Sequence, residues 1–265
     1  DNTAERCAFL SSRNPVRSGG IYGCFKNCVY VETEIYMKSV FIDIDNTLLS
    51  FSEYVRHTMQ DGFAHFGLKR YEPYMYDIFA EENNKLWRRI EQGTLVFSEL
   101  EKVRWNIIFA RLGIDFDGTV FEKYFRRALY DSAIPMPYAN EMLRYLSGKY
   151  ILCAASNGPY EQQVHRLEIA GMKQYFDYIF ISEKLGASKP SEEFFRQVFA
   201  ELNSGRDEVI MPADTIIIGD SLTSDIEGGR CYGMKTCFYN IGGVESDNIK
   251  ADYVINELNE VEGIL

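Results

Sequence analysis

The sequence predicts an α/β protein: a three-layer, Rossmann-like parallel-sheet core interrupted once by an all-helical, four-helix insertion. Three observations carry this reading. From Tyr138 onward, short apolar runs alternate with helical periodicity at the spacing of a parallel sheet covered on both faces. Residues 51–134 instead show helical periodicity four times over, with no strand pattern between. The apolar run Val40, Phe41, Ile42 and Ile44 stands just ahead of that insertion and fits a buried strand, because it leaves no face for water.

Taken in order, residues 1–36 carry Ser11, Ser12, Asn14, Pro15, Ser18, Gly19 and Gly20 without a sustained period. They read as a loosely packed or poorly ordered extension, with a hairpin over 21–35 as the alternative, and Met37 stands where a compact domain would start. The first strand is expected over 39–44. Helices are expected over 51–66, 73–89 (Pro73 in the first turn), 98–112 (Ser98 as cap, Glu101 in capping-box position, Gly113 as stop) and 118–129. Beyond the insertion come a helix over 140–146, a strand over 150–155, a helix over 160–169, a strand over 178–181 and a helix over 192–202. A strand over 215–218, a helix over 224–231, strands over 235–238 and 253–255, and a terminal helix over 257–265 complete the pattern. The expected domains are therefore 37–50 with 135–265 as the core, and 51–134 as the insertion.

Of 265 residues, 46% are apolar and 25% charged, a composition that supports a full core and excludes disorder. The net charge of -11 argues against binding nucleic acid polymers, though a bound cation would still admit a small phosphorylated ligand. No apolar run is long enough to span a bilayer and no signal peptide is visible. Cys153, Cys231 and Cys237 fall in expected core elements and read as buried small apolar residues. Cys7, Cys24 and Cys28 lack a nearby histidine, so a reducing, cytoplasmic setting is the simpler expectation.

In a parallel sheet, ligands bind beyond the carboxyl ends of the strands. Four polar clusters fall at those positions: Asp43-Ile44-Asp45-Asn46-Thr47, then Ser156-Asn157-Gly158, then Lys189-Pro190, then Gly219-Asp220-Ser221 with Ser224-Asp225. Each alone is an ordinary turn or cap. Together, they bring Asp43, Asp45, Asp220 and Asp225 toward one place, where unrelieved carboxylates would repel one another. A hard divalent cation resolves that repulsion, and all-oxygen ligation suits magnesium. Lys189 adds positive charge, while Ser156 and the backbone amides near Asn46 and Asn157 offer donors to anionic oxygens. Such a site suits a phosphoryl group: one aspartate attacks phosphorus, and a second serves as acid and then base.

These clusters, read as VFIDIDNTLL, SNG, Lys189-Pro190 and IIIGDSLTSDIEGG, resemble the four motifs of the haloacid dehalogenase-like (HAD) phosphohydrolase superfamily. The likeness covers about residues 38–240. It is closest to the subgroup of pyrimidine 5'-nucleotidases that act on non-standard nucleotides, through RLEIAGMKQYFDYIFISEKLGASKP and GDSLTSDI. The resemblance implies Asp43 as nucleophile and Asp45 as general acid/base. It implies magnesium held by the Asp43 and Asp220 side chains and the Asp45 main chain, with Asp225 orienting the metal's waters or Lys189. Ser156 and Lys189 would hold the phosphate, with Asn46, Thr47, Asn157, Gly158 and Ser221 in support. The helical insertion resembles the family's cap. The residue after SNG is Pro159, a departure that could reshape the loop carrying Asn157.

A second DxD, Asp115-Phe116-Asp117-Gly118-Thr119, matches the first motif as a string but follows a helical pattern and Gly113 rather than a strand. It reads as an interhelical loop in which Asp115 or Asp117 caps the next helix. The expected activity is a magnesium-dependent phosphomonoester hydrolase passing through an aspartyl phosphate, with a pyrimidine nucleoside monophosphate as the implied substrate and a monomer or homodimer as the working unit. Sugar phosphates, phosphomutase chemistry and a non-catalytic phospho-ligand role stay open. A dehalogenase fits less well, since halide leaves without the acid that Asp45 offers. Tyr54, Phe63, Tyr74, Tyr76, Phe79, Trp87 and Trp105 are available to stack on a base, although most are more simply the core of the insertion.

Overall fold

The computed structural model describes residues 37–245 and 249–265. The expectations for 1–36, including the hairpin and Cys7, Cys24 and Cys28, lie outside the described residues. Six parallel strands run β1 (Ser39–Ile42), β2 (Ile151–Ser156), β3 (Tyr178–Ile181), β4 (Thr215–Gly219), β5 (Lys235–Tyr239) and β6 (Tyr253–Ile255), in the order β3-β2-β1-β4-β5-β6. β1 is central and in register with both neighbours, Ser39 opposite Ile151 and Thr215. The order reverses on either side of β1, which opens a crevice above its carboxyl end.

The period of two along β1 builds the layers. Val40 and Ile42 join the cluster formed with α5 (Ala139–Leu146), α6 (Tyr160–Ile169) and the C-terminal turn, while Phe41 joins α8 (Glu192–Leu202) on the opposite face. Between β1 and α5 the chain forms α1 (Phe51–His65), α2 (Tyr74–Glu91), α3 (Phe97–Leu112) and α4 (Gly118–Tyr130). These helices share a core of their own around Phe63, Phe79, Trp105, Phe109, Phe121 and Phe125. Inside it the buried Arg104 meets Glu122 through two parallel bonds (3.1 and 2.5 Å) and Asn83 at 3.2 Å, so the charge is paired.

Several boundaries differ from expectation for local reasons. α3 begins at Phe97, so Ser98 is not its cap; the Glu99 carboxylate accepts from Val96 N–H at 3.5 Å, and Glu101 instead pairs with Arg126 at 2.6 Å. The terminal helix is a 3₁₀ helix over Leu258–Gly263, because Leu258 and Val261, three apart, are the residues it buries. The helix expected over 224–231 starts earlier, as a π-helical stretch over Leu222–Glu227 that runs into α9 (Gly228–Tyr232). A short α7 (Ser182–Leu185) occupies part of an expected loop. Cys153 and Cys237 are buried, but Cys231 is exposed on α9 and its thiol donates to Glu227, since the buried face of that short helix is given to Gly228 and Gly229. Asp117 caps α4 by accepting from Thr119 N–H at 2.8 Å, so the second DxD is interhelical. Among the described residues no helix is long and apolar enough to cross a membrane.

Candidate active site

β1 ends one residue before Asp43, whose N–H still donates to the Ile218 carbonyl at 3.0 Å, so the chain leaves the sheet with the Asp43 carboxylate over the strand ends. β4 ends at Gly219, followed by Asp220, Ser221 and the π-helical stretch that turns Asp225 back under the site. A side chain at 219 would overlap the Asp225 carboxylate, so glycine is needed for this approach. Ser221 accepts from Ser224 N–H at 3.1 Å and its own N–H donates to Asp225 Oδ2 at 3.1 Å, fixing the turn.

Lys189 enters from the loop before α8 and is 1% exposed. All three of its ammonium donors are used: Asp43 Oδ1 at 2.7 Å, Asp225 Oδ1 at 2.5 Å and the Ala155 carbonyl at 2.6 Å. Asn157 clamps the Lys189 backbone, accepting from its N–H and donating to its carbonyl, both at 2.9 Å. Burial alone would lower the Lys189 pKa, but Asp225 and Asp43 outweigh it and hold the ammonium charged.

Asp43, Asp220 and Asp225 each place a carboxylate oxygen within 4.8 Å of the others. Burial pushes the Asp43 carboxyl above its usual range, and Asp225 adds to the shift against the opposing Lys189. Burial likewise pushes Asp220 well up, with Asp43 and Asp225 adding to it. Three carboxylates thus face one ammonium. That excess of closely spaced oxygen donors fits a hard divalent cation.

The remaining candidates are distributed around this cluster. Asp45 lines the same cleft, but its carboxylate is bonded to α6 rather than to the acidic cluster. Asn46 has a positive φ of 60°, accepts from Ser52 N–H at 3.0 Å and shapes the turn into α1. Ser156 ends β2 and lines the cleft. Thr47 is fully buried and does not line it, and Gly158 lines a neighbouring groove beside Ser182, to whose hydroxyl its N–H donates at 3.0 Å.

The cleft, about 520 Å³, runs between these strand ends and α2. Of the aromatics singled out from sequence, Tyr76, Phe79 and Trp87 line it. Tyr54, Phe63 and Trp105 are buried in the helical core, and Tyr74 is exposed on the surface. Arg56 covers the Tyr76 ring at 3.7 Å, so Trp87 is the more available aromatic face. Sequence reading missed three contributors: Arg166 and Gln163 of α6, and Glu91 of α2, which accepts from Thr223 Oγ1 at 3.1 Å across the cleft. A signal for the first two was present. Gln163, Arg166 and Leu167 lie on one helical face, and polar residues sharing a face with a core leucine need buried partners.

A parallel sheet carrying an acidic, cation-fitting cluster at its carboxyl ends beneath a helical roof defines an α/β enzyme of the hydrolase kind. A family model of haloacid dehalogenase-like hydrolases matches residues 37–233, and the chain belongs to that family. The pyrimidine 5'-nucleotidase PynA of Streptococcus pneumoniae is 30% identical over 207 residues, covering 78% of this chain and 85% of the relative. The pyrimidine 5'-nucleotidase YjjG of Escherichia coli is 27% identical over 230 residues, covering 85% and 96%. The magnesium-bound crystal structure of YfnB from Bacillus subtilis superposes with a TM-score of 0.76 at 29% identity, covering 87% of this chain and 99% of that one. The protein is an enzyme, a hydrolase of this family.

Proposed function

We propose that the protein hydrolyses phosphomonoesters through an aspartyl phosphate on Asp43, with pyrimidine nucleoside 5'-monophosphates as substrates. The observation that carries this reading is the convergence of Asp43, Asp220, Asp225 and Lys189 at the ends of separate elements, under a cleft roofed by α2. Relatives named as pyrimidine 5'-nucleotidases support the substrate class.

In this scheme the free Asp43 oxygen attacks phosphorus, forming the acyl–phosphate bond as the ester P–O bond breaks. Asp45 gives its proton to the departing ester oxygen. Asp45, now a carboxylate, takes a proton from water, which attacks the phosphoryl group, releases inorganic phosphate and restores Asp43. Lys189 bonds both Asp43 and Asp225 and holds them in place, and Ser156 with the amides near Asn46 and Asn157 donates to phosphoryl oxygens. The Asp43 and Asp220 side chains and the Asp45 carbonyl would hold magnesium, which when bound offsets negative charge on the transferring group. α2 excludes water and presents Trp87 to the base. The helical unit, 51–134, thereby acts as a cap over the 37–50 and 135–265 core.

The test is phosphate release from a panel of nucleoside monophosphates, sugar phosphates and small alkyl phosphates, with magnesium or excess chelator, for the native protein beside Asp43→Asn. Metal-dependent release concentrated on pyrimidine monophosphates and lost in the variant is the expected result. Preference for sugar phosphates would discard the substrate class and keep the chemistry. No release from any ester by folded protein would discard both.

A further inference from the structure

Asp45 is held by a bracket that the acidic cluster does not contain. Its Oδ1 accepts from Arg166 Nη1 at 2.6 Å and its Oδ2 from Gln163 Nε2 at 2.7 Å, so both oxygens are fixed from one face of α6. The bracket is itself anchored at both ends. Gln163 Nε2 also reaches Ser156 Oγ at 3.1 Å, at the end of β2, and Gln163 Oε1 accepts from Arg166 Nη1 at 2.9 Å. Arg166 Nε donates to the Ser132 carbonyl at 3.0 Å.

Ser132 lies on the link by which the chain returns from α4 to the core. That link is pinned to the outgoing one: Ser50 N–H donates to the Ile134 carbonyl at 2.7 Å, and Met136 N–H to the Leu48 carbonyl at 2.9 Å. α6 also meets the end of α4 just before that link, with the His165 ring stacked on Tyr130 at 4.3 Å. The Arg166 side chain is 1% exposed, whereas that of Asp45 is 29% exposed and borders the cleft. A buried guanidinium is expensive to leave unpaired, so its geometry is strongly held, and it transmits that rigidity to a partly open carboxylate.

We infer that Arg166 and Gln163 are positioning residues: they hold the Asp45 carboxylate aimed into the cleft, with the Ser132 carbonyl as their fixed point. The inference rests on the proposed role of Asp45 as acid and base, and neither residue touches the reacting atoms. Its distinguishing consequence concerns the leaving group. An alkoxide needs the proton that Asp45 gives; 4-nitrophenolate departs without it.

The test compares kcat/KM for an alkyl phosphomonoester and for 4-nitrophenyl phosphate, since this quantity covers steps only through departure of the first product. Native protein, Asp45→Asn, Arg166→Met, Arg166→Lys and Gln163→Leu are measured side by side. A misaimed catalytic group costs on the order of 10²-fold. Arg166→Met is expected to lose about that much on the alkyl ester and only a few-fold on the aryl ester, shifting the ratio toward that of Asp45→Asn. Gln163→Leu should shift it the same way, and Arg166→Lys, which keeps the charge without the planar fork, by less than Arg166→Met. A variant that folds only in part loses both activities equally, so the ratio reports positioning rather than yield of folded protein. Native ratios in the Arg166 and Gln163 variants, with a shifted ratio in Asp45→Asn, overturn the inference alone. A native protein that releases phosphate from neither ester overturns the phosphatase reading and the inference with it.

Discussion

Ser39 sits in the middle of the sheet, fully buried, and its hydroxyl has no hydrogen-bond partner among the described residues. An unmet buried hydroxyl costs about 1–3 kcal/mol, while a single methyl fits the same space. Ser39→Ala should therefore leave the unfolding free energy unchanged or raise it by about 1 kcal/mol in urea titration. A loss of more than that would mean the hydroxyl has a partner. Asp225 presents the opposite case. It is fully buried yet bonded on both oxygens, by Lys189 and by Ser221 N–H, so no polar atom of its carboxyl group is left without a partner. Residue chemistry at this scale was legible where a side chain contradicted its surroundings. Asp43 and Asp45 next to an apolar run are such a contradiction. Arg166 was harder to see, because one arginine on an amphipathic helix looks solvated until its partners, 121 and 34 residues away, are brought in.

The same contrast holds for elements. α3 and α4 approach so closely at Gly118 that a Cβ there would overlap the backbone of Trp105 and Asn106, and Asn106 Oδ1 accepts from Gly118 N–H at 2.9 Å. Backbone cannot yield as a side chain can. Gly118→Ala should cost about 3 kcal/mol or more. Gly62→Ala, whose Cβ would press only on the rings of Phe121 and Tyr124, should cost less, and thermal unfolding of the pair would reveal equal losses if helix contact were not the cause. At the sheet edge, Asp252 binds Lys235 at 2.8 Å and Thr236 N–H at 3.0 Å, joining β6 to β5. Burial would raise its pKa, but the Lys235 and Thr236 bonds prevail and hold it below the usual 3.8. A lowered acid stabilises above its unfolded pKa and loses that contribution as pH falls through the folded one. The stability difference between native protein and Asp252→Asn should thus be full at neutral pH and shrink below the ordinary carboxylate pKa; a gap constant with pH would remove Asp252 from the acid response. Strands and long helices were readable here because period two and period 3.6 survive in sequence. The 3₁₀ end and the π-helical stretch were not, since each is dictated by what it packs on.

At the scale of the whole molecule, the sheet topology places residues from Asp43 to Asp225, drawn from four stretches of chain, at one end of one layer. The strand-end rule made that convergence readable, whereas the facing of α2 onto it depended on how four helices pack and could not be read. The cost of the convergence falls on stability. Three carboxylates crowd one ammonium, and burial with mutual repulsion pushes Asp43 and Asp220 upward. A cation that binds only the folded state reverses this cost by mass action, about 2.7 kcal/mol at a hundred-fold excess over Kd. For a chain of this size that is roughly 5–11 °C in Tm. Magnesium should therefore raise the Tm of the native protein relative to excess chelator. Asp220→Asn should behave oppositely in the two conditions: more stable than native in chelator, because one repelling charge is gone, and nearly unresponsive to magnesium, because a ligand is gone. The crossing of the two curves separates a cation site from a merely crowded acidic cluster. A native Tm indifferent to magnesium, with Asp220→Asn more stable throughout, would leave the acidic cluster as strain that the fold carries without a cation.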